Sequence, residues 1–143
     1  IMIGGSGERK TFRLAARYAN HLNMIAGPTE LPRKLEALAQ RCEEVGRDRD
    51  EIETSVLLSV VIDDTPEAAA KVADDYTAAK GMSPEEAEAL KARTIIGGPD
   101  QVAEQVQGVL ATGVDGVIIN AVVNGHVPGV VELAGKTLSP LIG

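Results

Sequence analysis

Short apolar runs alternate with longer amphipathic segments along this chain, and this alternation limits the possible folds more than any other feature. The apolar runs occupy residues 1–3, 22–26, 52–62 and 114–120. The segments between them carry apolar residues at the spacing of a helix face. Strands that alternate with helices form parallel sheets with right-handed crossovers. The chain is therefore predicted to be an α/β protein of order β-α-β-α-β-α-α-α-β-α.

Helix start and stop signals divide the segments between the strands. Thr29, Thr65 and Ser83 stand where helices are expected to begin, and Ser83 opens a capping box. Gly113 stands where a helix is expected to end. Residues 94–99 are expected to be a connector. The predicted helices run from 8 to 19, from 29 to 45, onward from 64, from 83 to 93, from 100 to 112 and from 127 to about 141.

The strand pattern leaves two architectures open. Apolar residues fall on both faces of residues 52–62, which indicates a strand covered on both sides, as in a parallel sheet. Four such strands form either a small open three-layer domain or half of an eight-stranded barrel. Residues 1–143 contain no linker or low-complexity tract, so one domain-like unit is predicted. Residues 64–98 are expected to form a mobile excursion over the ligand face.

Composition excludes several classes of function. The chain has 143 residues, 44% of them apolar, and a net charge of −7, so no basic field attracts nucleic acid or an anionic membrane. The single cysteine, Cys42, excludes an internal disulfide and is typical of a cytoplasmic protein. No apolar run approaches the roughly 20 residues that a membrane-spanning helix needs. Residues 1–3 resemble the middle of a buried strand and not a signal peptide, so we expect a longer parent chain.

The glycine-rich turn Gly4-Gly5-Ser6-Gly7 is the most informative candidate site. It lies between a predicted strand and a predicted helix, at the edge of a parallel sheet where ligands bind. Backbone N–H groups can approach an anion there, the helix N-terminus adds positive charge, and Ser6 can donate its hydroxyl. The alternative is a tight turn that binds nothing. Asn120, at the end of the last strand, is a further polar contact for a ligand.

The remaining polar residues have structural explanations beside functional ones. Gly97–Asp100 is expected to be an ordinary helix start, and His21 is expected to be structural. His126 lies in a loop that either faces a ligand or does not, and Asp63 and Asp64 form either an acid/base pair or a helix cap. No cluster has metal-ligand spacing, and no nucleophile is paired with a base. The charged residues at positions 33 to 53 are expected to be a solvated helix face and turn.

Several stretches together resemble the luciferase-like monooxygenase family, particularly its deazaflavin-dependent branch. They are residues 1–7 with 14–19, Asn23 on the next strand, and residues 95–102 running into 113–117. The resemblance implies that the strands are numbers five to eight of a (β/α)8 TIM barrel. It implies a cofactor, FMN or coenzyme F-420, whose phosphate lies against Gly4 to Gly7, and a small organic substrate.

The chain also departs from the family pattern. Leu22 stands where relatives carry tryptophan, and His21 stands where they carry a small residue. Residues 26–29 contain no lysine, which argues against a phosphosugar substrate. The first four strands of the barrel are absent, so the resemblance implies a fragment of an oxidoreductase that is inactive alone. A non-catalytic flavin- or anion-binding module and a purely structural half-barrel remain the alternatives.

Two exposed strand edges are expected if the chain is half of a barrel. Residues 1–3 and 114–120 would each present unpaired backbone groups, which invite another strand. We therefore expect a homodimer or association with the missing N-terminal half.

Overall fold

Five strands and six α-helices alternate along residues 1–142, the part of the chain that the computed structural model describes. They are β1 (Met2–Gly4), α1 (Thr11–Tyr18), β2 (His21–Met24), α2 (Leu31–Glu43), β3 (Glu53–Ile62), α3 (Pro66–Ala79), α4 (Pro84–Ala92), β4 (Thr94–Gly97), α5 (Pro99–Leu110), β5 (Gly116–Asn120) and α6 (Val130–Leu138). The registered pairs β1–β2, β2–β3 and β3–β4 are all parallel, and β5 also pairs with β3. The predicted α/β class with parallel strands is confirmed.

The chain divides into two compact units that are not continuous in sequence. The first consists of Ile1–Leu57 and Gly108–Ile118, and the second of Leu58–Gln107 and the chain from Ile119 onward. Strands β3 and β5 each contribute residues to both units.

The first unit is built on β1, β2 and the first half of β3. Met2 lies opposite His21, and Leu22 opposite Thr54. Helices α1 and α2 pack against each other, and their inward side chains fill the core with those of β2. Each large apolar side chain buried in this way stabilises the fold by about 1.5–3 kcal/mol. The fully buried residues include Phe12, Leu22, Met24, Leu31 and Leu38.

The second unit is built on the second half of β3 and on β4. The prediction that residues 94–99 form a connector is wrong for Thr94–Gly97, which pairs in parallel with Ser59–Ile62. The pairing supplies hydrogen-bond partners to backbone groups of β3 beyond Val56, the last residue that β2 reaches. Two β-branched residues, Ile95 and Ile96, favour the extended backbone that this requires. Helix α3 packs on β4 through the buried side chains of Ala69, Ala73 and Thr77.

The helix boundaries confirm some capping predictions and correct others. Thr65 accepts from the Ala68 N–H at 3.2 Å, and Ser83 forms the predicted capping box with Glu86. Helix α1 begins at Thr11 and not near residue 8, because the preceding residues form a turn. The N-cap of α2 is Glu30 and not Thr29, and its side chain makes no capping bond.

Removal of a buried side chain from β2 tests the core of the first unit. We expect Leu22→Ala to lower the free energy of unfolding by about 2–5 kcal/mol, because it leaves a cavity under α1 and α2. The matched control is Leu14→Ala on α1, where the side chain is 50% exposed and the loss should stay below about 0.5 kcal/mol. Urea denaturation measures both, and equal losses would contradict the packing described here.

The capping box of α4 predicts a local dependence on pH. Hydrogen bonds from the backbone and side chain of Ser83 lower the pKa of Glu86 below its ordinary value. The bond is therefore formed at neutral pH, and is lost as the pH falls through the lowered pKa. We expect the Ser83 amide resonance to titrate there in wild type and not in Glu86→Gln. Glu85→Gln, the same change one residue earlier, should leave that titration in place.

Candidate functional site

The loop between β1 and α1 requires glycine at its first position. Gly5 has a φ of +142°, a conformation that residues with a side chain rarely adopt, and its N–H donates to the Asn23 carbonyl oxygen at 2.9 Å. A Cβ atom on Gly5 would lie 3.1 Å from Thr11 Cγ2, and one on Gly7 would lie 3.2 Å from Thr11 Oγ1. Gly4, in contrast, borders open space. The two inner glycines therefore let the loop fold closely over the first turn of α1.

Ser6 ties this loop to the chain that follows β2. Its Oγ donates to the Ile25 carbonyl oxygen at 2.7 Å and accepts from the Ile25 N–H at 2.9 Å. In this structure the one hydroxyl proton of Ser6 is used on Ile25, and its donation to an anion stays a prediction.

In the loop after β1, the N–H groups available to an anion begin at Ser6. The Gly5 N–H is used on Asn23, whereas within residues 1–142 the N–H groups of Ser6, Gly7 and Glu8 donate to no other group. These three successive donors precede the N-terminus of α1, where the helix dipole adds positive charge. The loop after β1 thus carries three successive backbone N–H groups that have no acceptor within residues 1–142.

Cationic side chains surround these donors. An open depression of about 970 Å³ is lined by Ser6–Thr11, Arg13 and Leu14. Among residues 1–142, neither Arg9, Lys10 nor Arg13 forms an ion pair. Three uncompensated positive charges beside the free backbone donors favour a negatively charged ligand.

Helix α2 holds the loop from the other side. Lys34 is 7% exposed, and its Nζ donates to the Ser6 carbonyl oxygen at 3.0 Å and lies 3.4 Å from Glu8 Oε1. Arg33 Nη1 lies 2.8 Å from the same carboxylate oxygen, and Arg41 Nε donates to the Glu8 carbonyl oxygen at 3.2 Å. Part of the expected solvated face is therefore engaged with the loop.

The position of Lys34 in the sequence indicates that its side chain is buried. Lys34 is three residues after Leu31 and four before Leu38, so it falls on the buried stripe of α2. A charged residue at an apolar position indicates a specific partner, because an unpaired buried charge is costly.

Asn120 lies in the second unit, and Gly4 to Gly7 lie in the first. Asn120 lines a cavity of about 210 Å³ together with Ser59, Tyr76, Arg93 and Thr94 among others. The glycines and Asn120 were predicted to contact one ligand, and that remains a prediction.

His21 has the structural role predicted for it. Its Nε2 lies 2.7 Å from Ser55 Oγ, which also accepts from Asn23 Nδ2 at 2.8 Å, and its Nδ1 lies 3.6 Å from Glu53 Oε2. A serine hydroxyl thus lies within hydrogen-bonding distance of an imidazole nitrogen, although no nucleophile was expected beside a base. Ser55 is only 3% exposed, however, so its hydroxyl links the two strands and is not accessible to a substrate.

Local structure accounts for several other candidates. Asp63 accepts from the Asp64 N–H at 2.8 Å in the bend before α3, whereas His126 is exposed and both alternatives for its loop stay open. A Cβ on Gly98 would lie 3.1 Å from Pro66 Cδ, so this glycine permits close packing. Burial raises the pKa of the Cys42 thiol, which disfavours the reactive thiolate. Within residues 1–142, no group of acidic, histidine or cysteine side chains could hold a metal ion, and no helix could span a membrane.

Comparison with known proteins identifies relatives at the level of family and fold. Residues 1–116 match the family described as luciferase-like monooxygenase. No curated protein matches the chain.

Several solved structures share the fold over nearly the whole chain. The coenzyme F-420-dependent tetrahydromethanopterin reductase of Methanopyrus kandleri is 21% identical with a TM-score of 0.71, over 99% of this chain and 50% of that one. EDTA monooxygenase of Chelativorans sp. BNC1 is 19% identical with a TM-score of 0.75, over 99% and 43%. The oxygenating constituent of 3,6-diketocamphane monooxygenase from Pseudomonas putida, in complex with FMN, is 22% identical with a TM-score of 0.71, over 100% and 49%. The chain thus spans half or less of the length of these structures.

Proposed function

The chain belongs to the luciferase-like monooxygenase family, and from this premise we propose that it supplies the cofactor-phosphate site of an oxidoreductase that uses FMN or coenzyme F-420. One observation carries the proposal. Within residues 1–142 the N–H groups of Ser6, Gly7 and Glu8 have no acceptor, and they lie in the loop that leads into α1, beside Arg9, Lys10 and Arg13. Backbone donors, a helix dipole and positive charge together suit a phosphate group.

The two cofactors share the group that this site suits. Relatives with the same fold include one structure in complex with FMN and one enzyme dependent on coenzyme F-420. When bound, such a cofactor supplies hydride transfer or, as a reduced flavin, activation of oxygen. The residues of this chain anchor the phosphate and set the electrostatic potential around it. Anchoring at Ser6–Glu8 fixes one end of the cofactor and so limits the positions of its ring.

Turnover is proposed for a longer protein and not for these 143 residues alone. The chain covers half or less of the solved relatives, and only 2% of its residues are aromatic, which gives little surface to grip a flat ring. The substrate is proposed to be a small organic molecule. With its one cysteine, Cys42, buried and unpaired, the protein is proposed to work in the cytoplasm. A module that binds the anion without catalysis is the second candidate, since the loop observation supports it equally.

Binding of FMN compared with riboflavin tests the phosphate site. The two ligands share the ring, and riboflavin lacks the phosphate. We expect FMN to bind more tightly, and FMN or inorganic phosphate to shift the Ser6, Gly7 and Glu8 amide resonances. Arg13→Ala should weaken FMN binding by roughly tenfold, the value of one charge-assisted hydrogen bond, and should leave riboflavin binding unchanged.

The matched control for Arg13 lies one turn further along α1. Arg17 is exposed and does not line the depression, so Arg17→Ala should retain the FMN preference. Gly5→Val should abolish the preference too, but the positive φ of Gly5 means that it also destabilises the loop, so Arg13→Ala is the cleaner test. Equal affinity for FMN and riboflavin in wild type, with no amide shift in phosphate, would refute the proposal.

We also propose that the chain pairs with a second copy through β1. Within residues 1–142 this strand pairs with β2 alone, and it ends the strand order. Ile1 is 75% exposed and Met2 56% exposed, so apolar side chains accompany the open edge. An open apolar edge favours another strand, and a stable dimer would bury at least about 1,200 Å² in total.

Sedimentation equilibrium at micromolar concentration tests the pairing. We expect wild type to be a dimer and Met2→Lys to be monomeric, because a charge at the edge opposes strand addition. Val131→Lys, which places a lysine at an exposed apolar position of α6, is the control and should remain dimeric. A wild-type monomer of 15.0 kDa would overturn the proposal.

A further inference from the structure

A buried ammonium group lies beneath the candidate phosphate loop, at a helix position where the sequence pattern calls for an apolar side chain. Resting on the proposed function, we infer that Lys34 is a positioning residue that sets the phosphate affinity of the loop. It acts through the peptide between Ser6 and Gly7 and does not touch the ligand.

The geometry of one peptide group carries the inference. Lys34 Nζ donates to the Ser6 carbonyl oxygen at 3.0 Å, and that carbonyl belongs to the same peptide as the Gly7 N–H. Residues 1–142 contain no cis peptide bond, and in a trans peptide the C=O and N–H point in opposite directions. Lys34 therefore pulls the carbonyl toward α2 and turns the Gly7 N–H away from it, to the side on which no protein group accepts it.

The same contact strengthens the donor that it orients. A cation at the carbonyl oxygen polarises the peptide, which makes the N–H at the other end a better donor to an anion. Arg41 holds the Glu8 carbonyl, two residues after Ser6, in the same manner. Its Nε donates to that oxygen at 3.2 Å. That carbonyl shares its peptide with the Arg9 N–H, so two cations of α2 each hold one carbonyl of the segment before α1.

The charges around Lys34 do not cancel, so neutralisation of a carboxylate does not by itself explain why a lysine is buried here. Among the residues that the structure describes, Glu8 is the one carboxylate paired with Lys34, and it also pairs with Arg33 at 2.8 Å. Two ammonium or guanidinium groups against one carboxylate leave a net positive charge, and Lys34 is the buried member, where screening by water is weakest. This excess charge favours an anion on the loop.

The test compares variants by the ratio of FMN to riboflavin affinity, because a general loss of structure lowers both affinities and leaves the ratio. We expect Lys34→Met, which keeps the length of the side chain, to reduce the ratio roughly tenfold and to reduce the Gly7 amide shift in inorganic phosphate. Lys34→Arg should restore most of the ratio, since it keeps the charge. Lys71→Met makes the same chemical change on the exposed face of α3 and should keep the wild-type ratio.

Glu8→Gln gives a second measurement that does not depend on the folding of Lys34→Met. It removes negative charge from the loop and leaves the Lys34 bond to Ser6, so we expect FMN affinity to rise about two- to fivefold. If the network served only to hold the loop together, Glu8→Gln would lower the ratio as Lys34→Met does, and that result would overturn the inference. If Lys34→Met kept the wild-type ratio, the inference would also be overturned. The proposed function would still stand in that case, because the wild type would still prefer FMN. Absence of that preference in wild type would refute both.

Discussion

Parallel pairing of β1 with β2 is the constraint on which the candidate site depends. Parallel strands end at the same edge of a sheet, so the loops that follow them are brought side by side. In the first unit this places Gly5 against Asn23 and Ser6 against Ile25, and each contact is a hydrogen bond between the two loops or strand ends. Antiparallel pairing would have put these loops at opposite edges. The site exists because the strand direction makes the two loops neighbours.

The sequence predicted the parts of this arrangement that depend on local pattern. The alternation of apolar runs predicted four of the strands, and a glycine turn between a strand and a helix predicted the loop. It could not predict β4, because a run of four residues between two helices has the same local pattern whether or not it pairs. The partner that decides the matter, Ser59–Ile62, is about 35 residues away in sequence.

The details of the site also depended on contacts between residues that are far apart in sequence. Ser6 was expected to offer its hydroxyl to a ligand, and the group that takes its proton, the Ile25 carbonyl, is 19 residues later. Lys34 was included in a solvated face, although its position in the stripe of Leu31 and Leu38 indicated burial. Its charge suggests an exposed position, whereas its helical spacing indicates a buried one. A buried charge contradicts the ordinary preference of its position, and such conflicts between levels concentrate at functional sites.

Net charge and local charge lead to different conclusions for this protein. The chain carries −7 overall, which excludes the broad positive field of a nucleic-acid-binding protein. Around the loop, however, Arg9, Lys10 and Arg13 form no ion pair with any described residue, and Lys34 is buried against Ser6. Charges within a Debye length of about 8 Å dominate the potential that a bound anion experiences, so a compact basic site can function in an acidic protein.

In the second unit a side-chain hydrogen bond holds the loop after β5, as a hydrogen bond of Ser6 holds the loop after β1 in the first unit. Asn124 Nδ2 donates to the Ile62 carbonyl oxygen at 2.9 Å, which ties the loop to the end of β3. Its Oδ1 is buried without a partner in residues 1–142, so the side chain bears a desolvation cost in order to make that one bond. Gly125 follows because a Cβ there would lie 2.6 Å from the Ala121 carbonyl oxygen. In each unit a loop at a strand end is held by a side chain that bonds to a distant backbone carbonyl. Single polar side chains thus connect these loops to parts of the chain that are distant in sequence.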